Sequence, residues 1–305
     1  MHAIRLHAAT GPQALAYDAI PTPRPGPGEA LVRVHAAAIT RGELDWPVDR
    51  LPAIPSYELS GAVAEIGPGA TDVQVGDPVF ALTAFDRDGV AAEYALVATR
   101  LLAPRPATLD DIEAAAIPLP ALSAWQGLFD HGHLADDQRV LIHGATGGVG
   151  RFATQLARHR GAHVIATAST RNVERARALG ASEVIDDTAA RFESVLEPVD
   201  LVLDTAGGDR LMRSPDVLRP GGRLVSVAEE PPPELSAGKR ISATYFVVEP
   251  NRVQLVELGA LVDRGELRPS IDAVFDLRDA RAAFERAQSG AGAGKVVLRV
   301  ATPNG

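Results

Sequence analysis

The stretch RVLIHGATGGVG, Arg139 to Gly150, limits what this chain can fold into more than any other. An apolar, β-rich run ends in a cluster of glycines, and an amphipathic segment follows. A strand-to-helix turn of this kind aims backbone N–H groups and the positive helix end at a phosphate. Glycine is required where a side chain would collide with a pyrophosphate or with the helix packed behind the turn. The dinucleotide pattern G-x-G-x-x-G falls on Ala145, Gly147 and Gly150, with alanine in the first place. Contacts to a dinucleotide are therefore expected from Ala145, Thr146, Gly147, Gly148, Val149 and Gly150. A turn kept only for packing is the competing reading. Context weighs against it, because Val149, Phe152, Ala153 and Leu156 then form one apolar helix face, closed by Gly161.

The rhythm around this turn defines a domain. RVLIH, AHVIATA, EVID, DLVLDTA and RLVSVA read as buried strands separated by helix-like segments, the signature of a parallel doubly wound sheet. Residues 1 to about 120 differ. HAIRLH, ALVRVHAAAI, GAVAEIG, DPVFAL and AAEYALVA alternate with period two between turn residues, which predicts an antiparallel, barrel-like β domain. Pro21–Gly28 reads as a surface loop of that domain. Further on, a helix is expected over Asn251–Asp263, with Asn251 as its N-cap and Gln254 three residues later. A second follows near Asp279–Gln288, and the strand KVVLRV suits a return to the first domain. The expected division is 1–120 with 266–305, and 121–265.

Composition removes several classes of partner. A net charge of -9 argues against nucleic acid or an anionic membrane surface. The chain has no cysteine, so disulfides and thiolate zinc sites are both absent. The first residues lack a basic region followed by an apolar run, and no run approaches the ~18 apolar residues of a membrane helix. The expectation is a soluble, cytoplasmic protein.

The end of the second strand of the doubly wound domain bears on which dinucleotide binds. An NAD enzyme usually places Asp or Glu roughly 20 residues past the glycine motif, to accept the ribose 2′-hydroxyl. Here the strand ends at Ser169, followed by Thr170, Arg171 and Asn172. Hydroxyls and a guanidinium suit a 2′-phosphate, which a carboxylate would repel. The pattern favours NADP(H), with Ser169, Arg171 and Asn172 as its contacts. A plainer reading stands beside it, in which Ser169 caps the next helix and Arg171 is a solvated charge.

Taken together, PGPGEALVRVHAAAI, LPAIPSYELSGAVAEIGPG, VGDPVF, LSAWQGL, GATGGVG, GASEVID, VDLVLDTAGGD, LRPGGRLVSV, YFVVEPN and GKVVLRV resemble one family in order and spacing. It is the medium-chain dehydrogenase/reductase superfamily, in its zinc-independent quinone oxidoreductase branch, which includes the zeta-crystallin-like enzymes. The resemblance spans essentially the whole chain. It implies a GroES-like β-barrel domain plus a Rossmann domain, NADPH as hydride donor, and a homodimer formed through Rossmann strands. It also implies cofactor contacts at Ser123 in LSAWQGL and Thr205 in VDLVLDTAGGD. Val227 closes LRPGGRLVSV within the same pattern, and Phe246, Val247, Val248 and Lys295 complete the implied set.

The departures from the family are as informative. Zinc-dependent relatives place a cysteine and a histidine where this chain has Thr40 and Tyr57, neither a fitting zinc ligand there, so no metal is expected. Quinone reductases usually carry asparagine at the Thr40 position, near the nicotinamide. Threonine keeps a hydrogen-bonding group with a shorter reach. Asp187 replaces a tyrosine that often flanks the 2′-phosphate, and it opposes NADPH unless turned away. The implied reaction is hydride transfer to a quinone or an α,β-unsaturated carbonyl. Tyr57 is the candidate for polarising the acceptor, with a tyrosine that merely packs as the alternative. Trp46 and Phe85 are candidates for lining the acceptor's pocket, and Glu58 reads as structural. Two other functions share the scaffold: a dedicated enoyl reductase of a biosynthetic pathway, and a low-turnover NADPH-binding sensor or structural protein.

Overall fold

The computed structural model describes residues 1–47, 50–290 and 292–300. They divide into two compact units, Met1–Leu119 with the chain from Pro250 onward, and Pro120–Glu249.

In the first unit β1 (His2–Leu6) pairs antiparallel with β2 (Leu15–Ala19). A larger sheet is built around β3 (Glu29–Ile39), whose alternation buries Ala30, Val32 and Val34. It continues through β4 (Glu58–Ile66), β5 (Pro78–Leu82), β6 (Tyr94–Ala98) and β7 (Ala103–Pro104), all antiparallel to their neighbours. The short helix α1 (Asp111–Ala115) starts where the Asp110 carboxylate accepts the Glu113 N–H at 2.9 Å.

The boundary with the second unit falls inside α2 (Pro118–Trp125). Strands and helices then alternate: β8 (Arg139–His143), α3 (Gly148–His159), β9 (His163–Ala168), α4 (Val173–Ala178) and β10 (Glu183–Asp186). They are followed by β11 (Val199–Asp204), α5 (Asp209–Arg213), β12 (Leu218–Ser226) and β13 (Ser242–Tyr245). The strand order is β10-β9-β8-β11-β12-β13, parallel throughout. The order reverses between β8 and β11, and in doubly wound sheets ligands bind outside the strand ends at such a switch point. The glycine turn leaves β8 there.

The chain rejoins the first unit earlier than the expected residue 266. α6 (Arg252–Asp263) buries Leu255, Leu258 and Leu261 there, and its Arg252 Nε donates to Leu102 O at 2.6 Å. Its N-cap is the expected one, with Asn251 Oδ1 accepting the Gln254 N–H at 3.1 Å. β14 (Ile271–Asp276), α7 (Ala280–Ser289) and β15 (Lys295–Arg299) follow. β14 runs parallel to β15 across the α7 connection, so the first unit is not purely antiparallel. β15 pairs antiparallel with β3, Val296 opposite Ile39. Among the described residues no helix is long and apolar enough to cross a membrane.

Candidate functional site

In the second unit, β8 delivers the chain into Gly144, whose φ of 70° lies in the left-handed region that glycine adopts freely. Ala145 is fully buried behind it. A Cβ on Gly150 would lie 2.2 Å from Gly144 O, so only glycine lets α3 pack this closely on the turn. On the outer side the space is open. Gly147, the N-cap of α3, makes no side-chain capping bond, and a Cβ on Gly148 would meet nothing within 4 Å. The first N–H groups of α3 are thus left uncapped by any side chain, with room for an anion. Thr146 and Val149 are half-buried beside them.

Other expected cofactor residues have defined places in this unit. Thr205 Oγ1 donates to His143 O at 2.7 Å, tying the end of β11 to that of β8. Val227 N donates to Asp204 O at 3.0 Å. Phe246 and Val248 are buried, Val247 is exposed, and the Phe246 ring lies 4.3 Å from that of His131. Ser123 is buried within α2.

At the end of β9, Ser169 Oγ accepts from Asn172 Nδ2 at 3.1 Å, and Ser169 makes no side-chain cap bond to the following turn. Arg171 is exposed. Thr170 Oγ1 donates to Asp186 Oδ2 at 2.7 Å. Asp187 is gripped by Arg210, with Nε at 2.8 Å and Nη2 at 2.6 Å from Oδ2. Its charge has a guanidinium of its own.

The first unit gathers a buried polar cluster. The β15–β3 register brings Lys295 beside Thr40, so Lys295 Nζ donates to Thr40 Oγ1 at 3.0 Å and pairs with Glu58. Thr40 Oγ1 in turn donates to Glu58 Oε1 at 3.2 Å, and Leu119 N donates to Glu58 Oε2 at 2.9 Å. The Thr40 hydroxyl and the Lys295 ammonium, both expected near the cofactor, are engaged with the fully buried Glu58. A second carboxyl, Glu43, joins them. Its Oε2 accepts the Thr40 N–H at 3.1 Å and its Oε1 lies 3.3 Å from Ser56 Oγ. Burial pushes Glu43 up to about 8, with Glu58 adding to the rise and Lys295 opposing it. At neutral pH Glu43 therefore holds its proton. One carboxylate then balances one ammonium.

Sequence reasoning missed Glu43 and Ser56. Ser56 is wholly buried at φ 64°, a left-handed conformation that costs a β-carbon residue roughly 1–2 kcal/mol. It turns the chain immediately before Tyr57. The Tyr57 carbonyl is fixed by Thr83, whose N donates at 2.8 Å and whose Oγ1 donates at 3.1 Å. The Tyr57 ring lies 5.9 Å from Trp46 and 5.0 Å from Phe85, and those two meet edge-on at 5.5 Å. All three expected aromatics come together. The phenol hydroxyl makes no hydrogen bond to any described residue. Burial, then the charges of Glu43 and Asp88, raise its pKa, so it keeps its proton. The result is a neutral O–H donor on a rigid ring, with its hydrogen-bonding capacity unspent.

The model of the alcohol dehydrogenase GroES-like domain matches residues 26–107, and that of zinc-binding dehydrogenase matches residues 179–298. A probable mitochondrial zinc-binding oxidoreductase of Arthroderma benhamiae is 33% identical over 303 residues, covering 92% of this chain and 91% of that protein. The 2-methylene-furan-3-one reductase of Solanum lycopersicum is 32% identical over 290 residues, covering 88% and 71%. Among solved structures, the quinone oxidoreductase of Coxiella burnetii superposes with a TM-score of 0.92 at 32% identity, covering 99% of each chain.

Proposed function

Because the chain belongs to the medium-chain dehydrogenase/reductase superfamily, in its quinone oxidoreductase branch, we propose that this oxidoreductase uses NADPH, needs no zinc, and reduces a quinone or an α,β-unsaturated carbonyl. Reduced nicotinamide supplies a hydride when bound. The uncapped N-terminus of α3 receives the pyrophosphate, and the turn after β9 receives the 2′-phosphate through Ser169 and Arg171. Asp187 does not oppose that phosphate, since Arg210 holds it. A homodimer in the cytoplasm belongs to the same reading.

The observation that carries the chemistry is the Tyr57 hydroxyl, protonated and without a protein partner. Acceptors of this class are already electron-poor, so positioning and polarisation of one oxygen supply most of the effect. Tyr57 donates to that oxygen as negative charge develops on it. The Thr40–Glu58 bond anchors the start of β4 directly after Tyr57, and Trp46 and Phe85 hold the ring itself. At the two positions where zinc-dependent relatives bind metal, a hydroxyl and a phenol stand instead.

Oxidation of NADPH and NADH by the purified protein, against a panel of quinones and enones, tests the proposal. Turnover with NADPH on at least one of these classes is expected, with NADH bound more weakly. Turnover of none of them, or a preference for NADH, overturns it.

A further inference from the structure

One charged group has no use in the mechanism above. Arg151 stands on the first turn of α3, directly after Gly150, and only 4% of it is exposed. Its Nε is buried without a hydrogen-bond partner, and its guanidinium bonds to no described residue. A buried cation with no counter-charge is costly, and buried polar groups in folded proteins are otherwise almost always satisfied.

Its surroundings increase that cost. Arg175, on α4, lies close enough to disfavour the charged form, and burial together with Arg175 brings Arg151 down to about 10. Arg151 is still a full cation at neutral pH. Arg175 is exposed and, among the described residues, bonds only Asn172 Oδ1, at 3.3 Å. The carboxylates in the neighbouring sequence are committed elsewhere. Glu174 pairs with Arg177, Asp186 accepts from Thr170 and Thr188, and Asp187 is held by Arg210. Arg151 and Arg175 thus form a pair of like charges that no described carboxylate bonds, one from the helix after β8 and one from the helix after β9.

That placement selects the ligand. The pyrophosphate is served by the backbone N–H groups at the start of α3, which need no side chain. The end of β9 is where the adenosine ribose is read in this fold. A phosphate monoester on that ribose carries close to two negative charges and several acceptor oxygens, matching two guanidiniums. We propose that Arg151 and Arg175 clamp the 2′-phosphate of the cofactor, and that Arg151 decides the preference for NADPH over NADH. The assignment rests on the NADPH reading above and adds residues that neither the glycine pattern nor Ser169 and Arg171 supply.

Calorimetric titration of the full chain with 2′,5′-ADP and with 5′-ADP tests it without turnover. The wild type should bind 2′,5′-ADP more tightly. Arg151→Met keeps an apolar stem of similar reach and removes the charge. It should weaken 2′,5′-ADP roughly ten- to a hundredfold, the loss of a charge-assisted bond, and leave 5′-ADP within about twofold. Arg175→Ala should act in the same direction with a smaller loss, and Arg151→Lys should keep part of the preference. Freed of a buried unpaired charge, ligand-free Arg151→Met should melt no lower than the wild type. A wild type that does not prefer 2′,5′-ADP contradicts the NADPH reading itself. A wild-type preference that survives in Arg151→Met contradicts the Arg151 assignment alone. Equal weakening of both ligands, or a marked drop in melting temperature, makes Arg151 a structural residue and also overturns the assignment.

Discussion

The two units handle buried charge in opposite ways. In the β unit, Lys295, Glu58, Thr40 and Glu43 answer one another inside a closed cluster, with one ammonium, one carboxylate and one protonated acid. In the doubly wound unit burial keeps His143 neutral, with Thr167 and Ser214 hydroxyls at 3.0 and 3.1 Å from its ring nitrogens, while Arg151 is a cation that no described residue pairs. A charge balanced within the fold orients its neighbours. A charge left unbalanced points to something the protein binds. The contrast is one between a scaffold that holds Tyr57 in place and a half-built anion site.

The sharpest way to break the contrast is to open the closed cluster. Glu58→Gln strands the Lys295 ammonium without its carboxylate, and should cost about 3–5 kcal/mol of stability. Adding Lys295→Met to that variant should recover most of the loss, because the uncompensated charge is then gone. Thermal melting of the single and double variants checks both statements. A silent Glu58→Gln would mean that the pair is not the balance described here.

A somewhat smaller effect separates the units by pH. Glu43 is raised in the folded protein to about 8, so its contribution to stability is complete below its ordinary value near 4.5 and is lost as pH climbs through 8. His143 is lowered to about 3 by burial, then by Arg210 and Arg213. Its contribution is complete above 6.5 and is lost as pH falls toward 3. Melting curves from pH 4 to 9 should show Glu43→Gln gaining on the wild type as pH rises to 8. The His143 ring resonances should not titrate between pH 5 and 8.

The parts of this design that were legible in the sequence are those written locally. Period-two and strand–helix rhythms placed most strands, the Asn251 cap placed the start of α6, and RVLIHGATGGVG placed the glycine turn that leaves β8 at the switch point. The aromatic group of Trp46, Tyr57 and Phe85 was also expected. Pairing across the fold was not legible. Lys295 reaches Thr40 and Glu58 only because β15 lies antiparallel on β3 with Val296 opposite Ile39, a register no local pattern encodes. The start of the return at Pro250 was missed because the apolar residues of α6 fall all round the helix, Val253 and Val256 exposed and Leu255 and Leu258 buried, and so mark no one face. β13 escaped notice because it is only four residues long, and both it and β14 are at most half-buried, without the apolar run of a core strand. A basic residue directly after the last glycine of the turn was a visible signal for Arg151. Only its burial without a partner gives that signal meaning.

The central claim is that the free hydroxyl of Tyr57 polarises the acceptor oxygen, and the direct measurement is kcat of Tyr57→Phe on one enone and one quinone with NADPH. The ring stays packed between Trp46 and Phe85, so KM should change little. On the enone, kcat should fall roughly ten- to a thousandfold, the upper end matching loss of an oxyanion donor, while the quinone should suffer less. A phenylalanine variant with unchanged kcat on both acceptors, and a Tyr57→Ala variant that only destabilises the fold, would show that Tyr57 packs and does no chemistry.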